Sequence, residues 1–226
     1  MHIYEPGAET YLPDANPMPV AIDDHVQAVY RDSLLYLVSG WHDTANVNTV
    51  QIYDPANDTW QQGSALPESP GSYVFGASGI IVGDTLYMAG GAGNRTDGDF
   101  PVQPYFTKGY IHPEDPTLID WTQDIDPKAG IYRSAAFERD GKVVWLGGSV
   151  DSYNYDGISY RGKPVNPRAE ALVYNPVDGS LSVSTGFLLK VMDLRGTATF
   201  STGEIYIAGG MLADQVVTDS LQILTY

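Results

Sequence analysis

The sequence predicts an all-β fold, namely a β-propeller with four blade-equivalents of four antiparallel strands, the last blade being closed by both termini. Three observations predict this fold: a motif repeated four times, strand-type residues without useful helical periodicity, and chain ends that together complete one repeat. Each copy of the motif has an apolar stretch, a polar turn, a second apolar stretch with an aromatic residue, and two small residues. The copies are HVQAVYRDSLLYLVSG (25–40), VFGASGIIVGDTLYMAGG (74–91), SAAFERDGKVVWLGG (134–148) and TATFSTGEIYIAGG (197–210).

The first two strands of each repeat are predicted from the polar turn that separates them, because turns such as Arg139-Asp140-Gly141 are typical of tight hairpins. A third strand and a Tyr-Asp-Pro-like corner follow the small residues in three repeats. These segments are QIYDPANDTW (51–60), GYIHPEDPTLIDW (109–121) and LVYNPVDGSL (172–181). A fourth strand after each corner gives the four-stranded sheet of a propeller blade.

Closure of the ring is predicted from the chain ends. The second small residue of each pair falls at Gly40, Gly91, Gly148 and Gly210, and the step from Gly210 through both termini back to Gly40 has a similar length. The segment SLQILTY reaches a third strand, and IYEPGAETYL begins at the corner that follows one. Pairing them removes an open sheet edge. We therefore expect one domain over 1–226, with blades at about 25–66, 74–126, 133–186 and 195–226 plus 1–19.

Composition limits the partners. The chain has 12 Lys and Arg against 28 Asp and Glu, a net charge of −16, which disfavours nucleic acid and anionic membranes as partners. The absence of cysteine excludes thiolate metal sites and cysteine nucleophiles. The first residues, MHIYEPGAE, lack a signal-peptide pattern. The localisation is therefore left open: cytoplasmic, or periplasmic or secreted if a signal region precedes this sequence.

The pair of glycines after an aromatic strand, followed by the corner Tyr53-Asp54-Pro55 and Trp60, resembles the kelch repeat. Segments 23–44 and 150–167 resemble bacterial galactose-oxidase-like kelch propellers, a group that includes N-acetylneuraminate epimerase. The resemblance implies carbohydrate binding and, if the protein is catalytic, epimerase-like or mutarotase-like acid–base chemistry. The copper-radical chemistry of galactose oxidase is excluded, because its cross-linked Tyr requires a cysteine. Such propellers usually have six or more blades, so this ring is small, lacks two blades, or is completed by a second chain.

Propeller topology predicts one functional face, because the residues before each first strand and after each glycine pair lie on the same side. Of the seven arginines, five fall in these segments: Arg95, Arg133, Arg161, Arg168 and Arg195. Arginine binds carboxylate or phosphate through two parallel hydrogen bonds, which favours an anionic or polyhydroxylated ligand. The alternative is that the arginines pair with Asp24, Asp156 and Asp193 and hold the loops together.

From these segments we predict catalytic and ligand-binding residues. In the catalytic hypothesis Arg133 or Arg195 holds a carboxylate while Asp24, Asp193 or His42 moves a proton. Aromatic side chains stack on sugar rings, although packing between blades also consumes aromatic residues. The predicted ligand-binding residues are Trp41, Tyr73, Arg95, Tyr132, Tyr155, Tyr160 and Arg161.

We predict no metal and no cofactor, because the spacing of His25, His42 and the neighbouring aspartates matches no ligand motif. His25 is expected to have a hydrogen-bonded structural role. The alternative function is a non-catalytic protein-interaction module that uses the long insertion at about 150–168, since long ordered loops often carry binding sites. A truncated propeller without a function of its own is the remaining alternative.

Overall fold

The computed structural model describes residues 2–69, 71–185 and 189–224. Apart from two 3-10 turns, at Pro127–Ala129 and Ala213–Gln215, the regular elements of these residues are all strands. None of the helical turns in the described ranges has the length and apolarity needed to cross a membrane.

The strands, in chain order, are β1 (Ile3–Glu5), β2 (Thr10–Leu12), β3 (Val26–Tyr30), β4 (Leu34–Val38), β5 (Trp41–His42), β6 (Ala45–Asn46), β7 (Val50–Asp54), β8 (Thr59–Gln62), β9 (Ser78–Val82), β10 (Thr85–Ala89), β11 (Tyr105–His112), β12 (Asp115–Ile125), β13 (Ala135–Arg139), β14 (Lys142–Leu146), β15 (Ala171–Asn175), β16 (Ser180–Ser184), β17 (Ala198–Thr199), β18 (Ile205–Ala208) and β19 (Leu221–Leu224).

Four antiparallel sheets form the blades of a β-propeller, as the sequence predicts. The first sheet has the order β3-β4-β7-β8, the second β9-β10-β11-β12 and the third β13-β14-β15-β16, so these three have the predicted four strands. The fourth sheet has the order β17-β18-β19 among the described residues.

The hairpins that begin each blade form for the reason the sequence suggests. Arg139 pairs with Lys142, which leaves a loop of two residues, and both of these have positive φ: 52° at Asp140 and 72° at Gly141. Positive φ at both central positions is the feature of type I′ turns, whose twist matches that of the flanking strands.

The glycine pairs let successive blades approach closely. Gly90 has a φ of +68°, and a Cβ at this position would lie 1.9 Å from the carbonyl oxygen of Ile131, which enters the next blade. Any side chain would therefore force the second and third sheets apart, which explains the small residue at this point of the repeat.

Each junction between neighbouring sheets has its own apolar core. Val38 and Ile52 of the first sheet pack with Leu86 and Ile111 of the second. Phe106 of the second sheet meets the fully buried Trp145 of the third with ring centroids 5.8 Å apart. At the last junction the buried residues Phe137 and Leu146 pack against Ile205 and Ile207. Burial of one such side chain stabilises the fold by about 1.5–3 kcal/mol.

Residues 15–22 cover the face of the first sheet that points away from the second. The main chain of Val20 pairs with the side chain of Gln51, which accepts at 2.8 Å and donates at 2.9 Å. Trp60 donates its indole N–H to the carbonyl of Asn16 at 3.0 Å. Leu37 and Tyr53 on this face are consequently buried.

The predicted closure of the last blade by both termini is wrong for the described residues. β1 pairs with β2 in a separate two-stranded sheet and not with β19. The register Tyr4↔Tyr11 reproduces Tyr53↔Trp60 of the first blade, because both segments have the same Tyr-acidic-Pro corner. The N-terminal segment thus contains its own third-strand residues, and the short loop makes its pairing cheaper in entropy than pairing with a distant sheet. Residues 225–226, part of the predicted closing segment, lie outside the described residues.

Candidate functional site

The four blades begin in the same way. A residue shortly before each first strand forms an isolated bridge with the residue that follows the two small residues, which are Ser39-Gly40 in the first blade and two glycines in the others. The bridges are Asp23↔Trp41, Phe75↔Ala92, Tyr132↔Ser149 and Met192↔Met211. The two kinds of segment that the sequence analysis places on one face are therefore in direct backbone contact.

The residue after each bridge forms what we call the axial ring, which consists of Asp24, Gly76, Arg133 and Asp193. All four have positive φ, at 48°, 67°, 49° and 61°. Gly76 donates its N–H to the carbonyl of Asp24 at 2.8 Å, Arg133 to that of Gly76 at 2.8 Å, and Leu194 to that of Arg133 at 3.0 Å. A left-handed conformation at a residue other than glycine costs about 1–3 kcal/mol, and such residues concentrate at functional sites.

Three ring residues and Arg195 form the axial cluster of charges. Arg133 donates to Asp193 at 3.1 Å through Nη1 and to Asp24 through Nη2. Arg195 donates to Asp24 through Nη1 and approaches Asp193 at 3.3 Å through Nη2. Each guanidinium thus bridges both carboxylates, and the cluster connects the first, third and fourth blades. These ion pairs agree with the alternative predicted from the sequence, in which arginines pair with Asp24 and Asp193 and hold the loops together.

Arg133 is the buried centre of this cluster, with a side chain that is 9% exposed. Its guanidinium carbon lies 4.9 Å from the ring centroid of Tyr132 and 5.2 Å from that of Tyr153. Burial opposes its charge, but Tyr132, Asp24 and Asp193 outweigh burial, and the pKa of Arg133 is raised. The guanidinium is therefore a permanent cation held between two aromatic rings and two carboxylates.

His25 and Asp23 adjoin the cluster and have shifted pKa values. Burial lowers the pKa of His25, against the opposing effect of the Asp24 carboxylate, so the imidazole is neutral near pH 7. Burial and the Asp24 charge raise the pKa of Asp23. The Nδ1 atom of His25 is buried without a hydrogen-bond partner among the described residues. The structural hydrogen bond expected of His25 is thus not formed by this nitrogen.

A cavity of about 220 Å³ opens at the axial cluster, lined by Asp24, His25, Gln27, Arg133 and Arg195 among others. A second cavity of about 540 Å³ continues beside it. Most of its lining residues come from the first strand of each blade or the segment entering it, including Val29, Ile80, Ala136 and Thr197, and Asp32 and Leu35 of the first hairpin complete the lining. We call the two together the axial cavity, because only the axis of a propeller is bordered by all of its first strands.

The structure brings four predicted catalytic residues together and leaves one apart. Asp24, Arg133, Asp193 and Arg195 form the axial cluster, whereas His42 is not among the residues that line the axial cavity. The Nδ1 of His42 lies 2.6 Å from the carbonyl oxygen of Ala21, and its Nε2 lies 3.3 Å from Asp43. These contacts hold the His42 ring against its own blade.

Three of the predicted ligand-binding aromatics are used in packing. Trp41, Tyr132 and Tyr160 belong to a cluster on the same face as the axial ring, together with Phe75 and Phe100. Trp41 lies edge-on to both phenylalanines, with centroids 5.6 and 5.3 Å apart. Tyr132 is fully buried, so its ring offers no surface to a sugar. The packing of aromatics between blades, which the sequence analysis allowed for, accounts for these three.

The other predicted ligand-binding residues lie outside the axial cavity. Tyr73 packs against the core of the first junction. Arg161 pairs with Asp99 at 2.7 Å, and the side chain of Arg161 is 67% exposed. Arg95 is exposed, and Tyr155 is 82% exposed on the insertion after the third glycine pair. These four do not meet the axial cluster.

Sequence reasoning did not select His25, Asp23 and Gln27 as site residues. Asp23 and His25 flank Asp24, so the run was visible, but nothing in the sequence separates a buried histidine from one that borders a cavity. Gln27 had a signal in the sequence of β3, VQAVY, where it is a polar residue between apolar ones, and in the structure it is exposed and lines the cavity. In the described ranges no three or more His, Asp or Glu side chains are arranged to hold a metal ion.

Comparison with known proteins bears on the fold. The model of the family described as "Kelch motif" matches residues 25–67. The Rab9 effector protein with kelch motifs of Gallus gallus is 28% identical over 124 residues, covering 54% of this chain and 32% of that protein. Kelch-like protein 36 of Bos taurus is 23% identical over 105 residues, covering 46% of this chain and 15% of that protein. The matched regions thus span less than a third of either relative.

The solved structure of YjhT superposes with a TM-score of 0.76, covering 99% of this chain and 75% of that chain at 13% sequence identity. Identity this low shows the fold alone. Together with the kelch motif and the four sheets, it identifies the fold as a kelch β-propeller.

Proposed function

We propose that this kelch β-propeller binds a small polyhydroxylated ligand, of the sugar class, in the axial cavity. The observation that carries the proposal is the axial cluster. Asp24, Arg133 and Asp193 occupy equivalent positions of three blades, all in a left-handed conformation. Asp24 and Arg133 line one cavity, and Asp193 pairs with Arg133 at 3.1 Å. Packing alone does not require three charged residues at strained positions that glycine fills in the second blade.

The groups around the cavity suit hydroxyl groups. A hydroxyl both donates and accepts, so it needs carboxylate or imidazole acceptors and amide or guanidinium donors close together. Asp24 and the neutral His25 supply acceptors, while Gln27 and the half-exposed Arg195 supply donors. The larger volume, about 540 Å³, falls within the usual range of small-ligand sites, and the adjoining 220 Å³ adds to it.

The charge balance favours a neutral ligand over an anionic one. All four terminal guanidinium nitrogens of Arg133 and Arg195 already face carboxylate oxygens of Asp24 or Asp193. Asp23 adds a further acid beside the cluster. A ligand carboxylate would have to displace a protein carboxylate from an arginine. A hydroxyl group can form hydrogen bonds while these ion pairs stay intact, which requires less free energy.

Ligand-observed NMR with a panel of neutral and acidic monosaccharides tests this proposal. We expect neutral sugars to bind, and we expect Arg195→Ala to weaken binding at least about tenfold, since a hydrogen bond to a charged group contributes about 1.5–3 kcal/mol. Gln27→Ala should weaken it about two- to tenfold, since a hydrogen bond between neutral groups contributes about 0.5–1.5 kcal/mol. Arg31→Ala is the matched control, because Arg31 pairs with Asp84 at 2.8 Å outside the residues that line the cavity. No binding by the panel, or equal loss in the control, would contradict the proposal.

The finer version of the proposal is acid–base sugar chemistry of the kind the family resemblance implies. Asp24 and His25 are the groups placed to exchange a proton with a ligand, because a neutral imidazole and a carboxylate border the same cavity. Anomer interconversion followed by NMR tests it, with Asp24→Asn as the variant, since Asn tolerates a φ of 48°. Wild-type rates equal to buffer would reject catalysis and leave the binding proposal standing.

A protein-interaction role is the second candidate, and Tyr155 favours it. Its side chain is 82% exposed, in an insertion ordered by backbone hydrogen bonds such as Asn154 to Ile158 at 2.9 Å. Exposed aromatic residues on ordered loops are typical of interfaces. The Rab9 effector protein with kelch motifs is, by its name, a protein that acts through a partner.

Affinity capture followed by mass spectrometry tests this second role. We expect a defined protein to be retained by the wild type and lost with Tyr155→Ser. Tyr11→Ser is the matched control, since Tyr11 is 73% exposed on the N-terminal hairpin. Equal retention by both variants would exclude Tyr155 as the contact.

A further inference from the structure

The outer edge of the fourth sheet differs from those of the other three. In the first, second and third sheets a fourth strand pairs antiparallel with the third: β8 with β7, β12 with β11 and β16 with β15. The described residues place no strand on the outer side of β19. A free strand edge offers a row of unpaired N–H and C=O groups to any extended segment.

The face of the fourth sheet that points away from the third is also apolar and exposed. Ile223 lies opposite Tyr206, and Leu221 lies opposite Ala208. Leu221 is 56% and Ile223 48% exposed, and Phe200, 4.6 Å from the ring of Tyr206, is 54% exposed. The opposite face of the same strands is buried against the third sheet.

The N-terminal hairpin β1–β2 has the opposite property, because it contains a fourth strand without a blade. Its register, Glu5↔Thr10 and Tyr4↔Tyr11, repeats that of β7 and β8. Tyr11 is 73% and Leu12 43% exposed, and the hairpin forms a sheet of two strands only. An isolated two-stranded hairpin is marginally stable in water, so β2 leaves β1 at low cost.

We propose that β2 of a second copy of the chain pairs antiparallel with β19 and completes the fourth sheet as its outermost strand. Reciprocal exchange of β2 gives a two-fold symmetric dimer. The first sheet sets the register. Ile223 pairs with β18 as Ile52 pairs with β4, so Ile223 corresponds to Ile52. The partner of Ile52 on β8 is Gln61, and Leu12 is the residue of β2 that corresponds to Gln61. Leu12 therefore lies opposite Ile223, on the exposed apolar face.

The second copy is favoured over the same chain because β2 pairs with β1 and not with β19 of its own chain in the structure. It is favoured over an unrelated peptide because β2 has the corner and register that fit this edge in the other blades. Leu12 also places an apolar side chain next to Ile223, so the two side chains contact each other on the exposed apolar face of the fourth sheet.

Disulfide cross-linking between two single-cysteine variants tests the proposal, and the chain has no cysteine of its own to interfere. Affinity-tagged Leu12→Cys is mixed with untagged Ile223→Cys and oxidised. We expect a mixed disulfide dimer of twice 24.5 kDa that retains the untagged chain. Because each variant has one cysteine, closure within one chain produces no such bond.

Tagged Tyr11→Cys mixed with Ile223→Cys is the control, since the proposed register places Tyr11 opposite Leu224 with its side chain on the other face. Several-fold more dimer from the Leu12 mixture than from the Tyr11 mixture supports the register. Equal yields, or no mixed dimer, overturn the proposal. Light scattering of the wild type is the second measurement: a mass of 24.5 kDa at about 100 µM also overturns it, whatever the variants do.

Discussion

The first and fourth sheets lie at the two ends of the same row of blades, and their outward faces differ in burial. Residues 15–22 cover the first sheet, where Gln51 exchanges two hydrogen bonds with Val20 and Leu37 is 5% exposed. The outward face of the fourth sheet exposes Phe200 and Leu221. A repeat fold buries its internal blades automatically but must cap its terminal ones separately. Here the chain itself caps one end in the described residues.

This difference predicts an unequal distribution of stability. Residues at equivalent positions of the first and fourth sheets have the same role in the repeat but different burial, so substituting both members of a pair compares a covered position with a less covered one. The fourth sheet should open at a lower free energy than the first, because it has fewer buried apolar contacts.

The largest effect is expected for Tyr36 against its equivalent, Tyr206. Tyr36 is fully buried and donates its hydroxyl to the carbonyl of Pro116 at 2.6 Å, while Tyr206 is only partly buried. Tyr36→Ala should lower the free energy of unfolding by about 3–5 kcal/mol and Tyr206→Ala by about 1 kcal/mol. Urea denaturation of both variants measures this. Equal losses would mean that the fourth sheet is as well packed as the first.

A second pair, Gln51 and Gln222, tests the cap directly. Gln51 is 3% exposed and its amide is fully used by Val20, so Gln51→Ala should cost about 2 kcal/mol. Gln222 lies opposite Ile207, and its side chain has no hydrogen bond to another segment among the described residues, so Gln222→Ala should change stability by less than about 0.5 kcal/mol. Hydrogen exchange at the Val20 amide should also accelerate in Gln51→Ala. Unchanged exchange there would show that the segment is held by other contacts.

A pH dependence is expected from His25 at the first blade, where the fourth blade has the non-titrating Leu194. Burial lowers the pKa of His25, so the unfolded state binds more protons than the folded state between that lowered pKa and about 6.5. Stability should therefore fall as pH drops through this range, by at most about 1.4 kcal/mol per pH unit.

Thermal or urea unfolding at several pH values between 7 and 5 measures this slope, and His25→Gln should reduce it. Asp23, whose pKa burial raises, acts in the opposite sense: its contribution to stability falls as pH rises from the normal aspartate range. An unchanged slope in His25→Gln would assign the pH dependence to other groups.

The smallest effect is expected at Leu221, the equivalent of the fully buried Val50 in the first sheet. Leu221→Ala should change the free energy of unfolding by less than about 0.5 kcal/mol, measured at low protein concentration, because the side chain is already 56% exposed. Val50→Ala should cost at least about 1 kcal/mol. A large loss in Leu221→Ala would indicate that the outward face is covered in solution.

The repeat made most of the fold predictable. Glycine pairs, polar turns and Tyr-Asp-Pro corners act locally, so their spacing located the strands of every blade. Ring closure was not predictable in the same way. The sequence of the N-terminal segment is compatible both with a local hairpin and with pairing to β19. Which pairing forms depends on loop entropy and on contacts that the sequence does not encode locally.

The site was predictable in its location and not in its contacts. Topology alone placed Asp24, Arg133, Asp193 and Arg195 on one face, because each lies in a segment that enters the first strand of a blade. The pairing of the charges depends on side-chain distances of a few ångströms, and so does the burial of Tyr132 beneath Arg133. Those distances follow from how neighbouring blades are inclined, which no local pattern reports.

The axial ring and the axial cluster would respond differently if evolution duplicated or deleted a blade. Each hydrogen bond of the ring joins adjacent blades only, as between Gly76 and Arg133, so an added unit would simply extend the series. The ion pair of Arg133 with Asp24 joins blades that are not adjacent, across the position occupied by Gly76. A wider ring would separate these two charges. The pair therefore ties the chemistry of this site to the present curvature of the molecule.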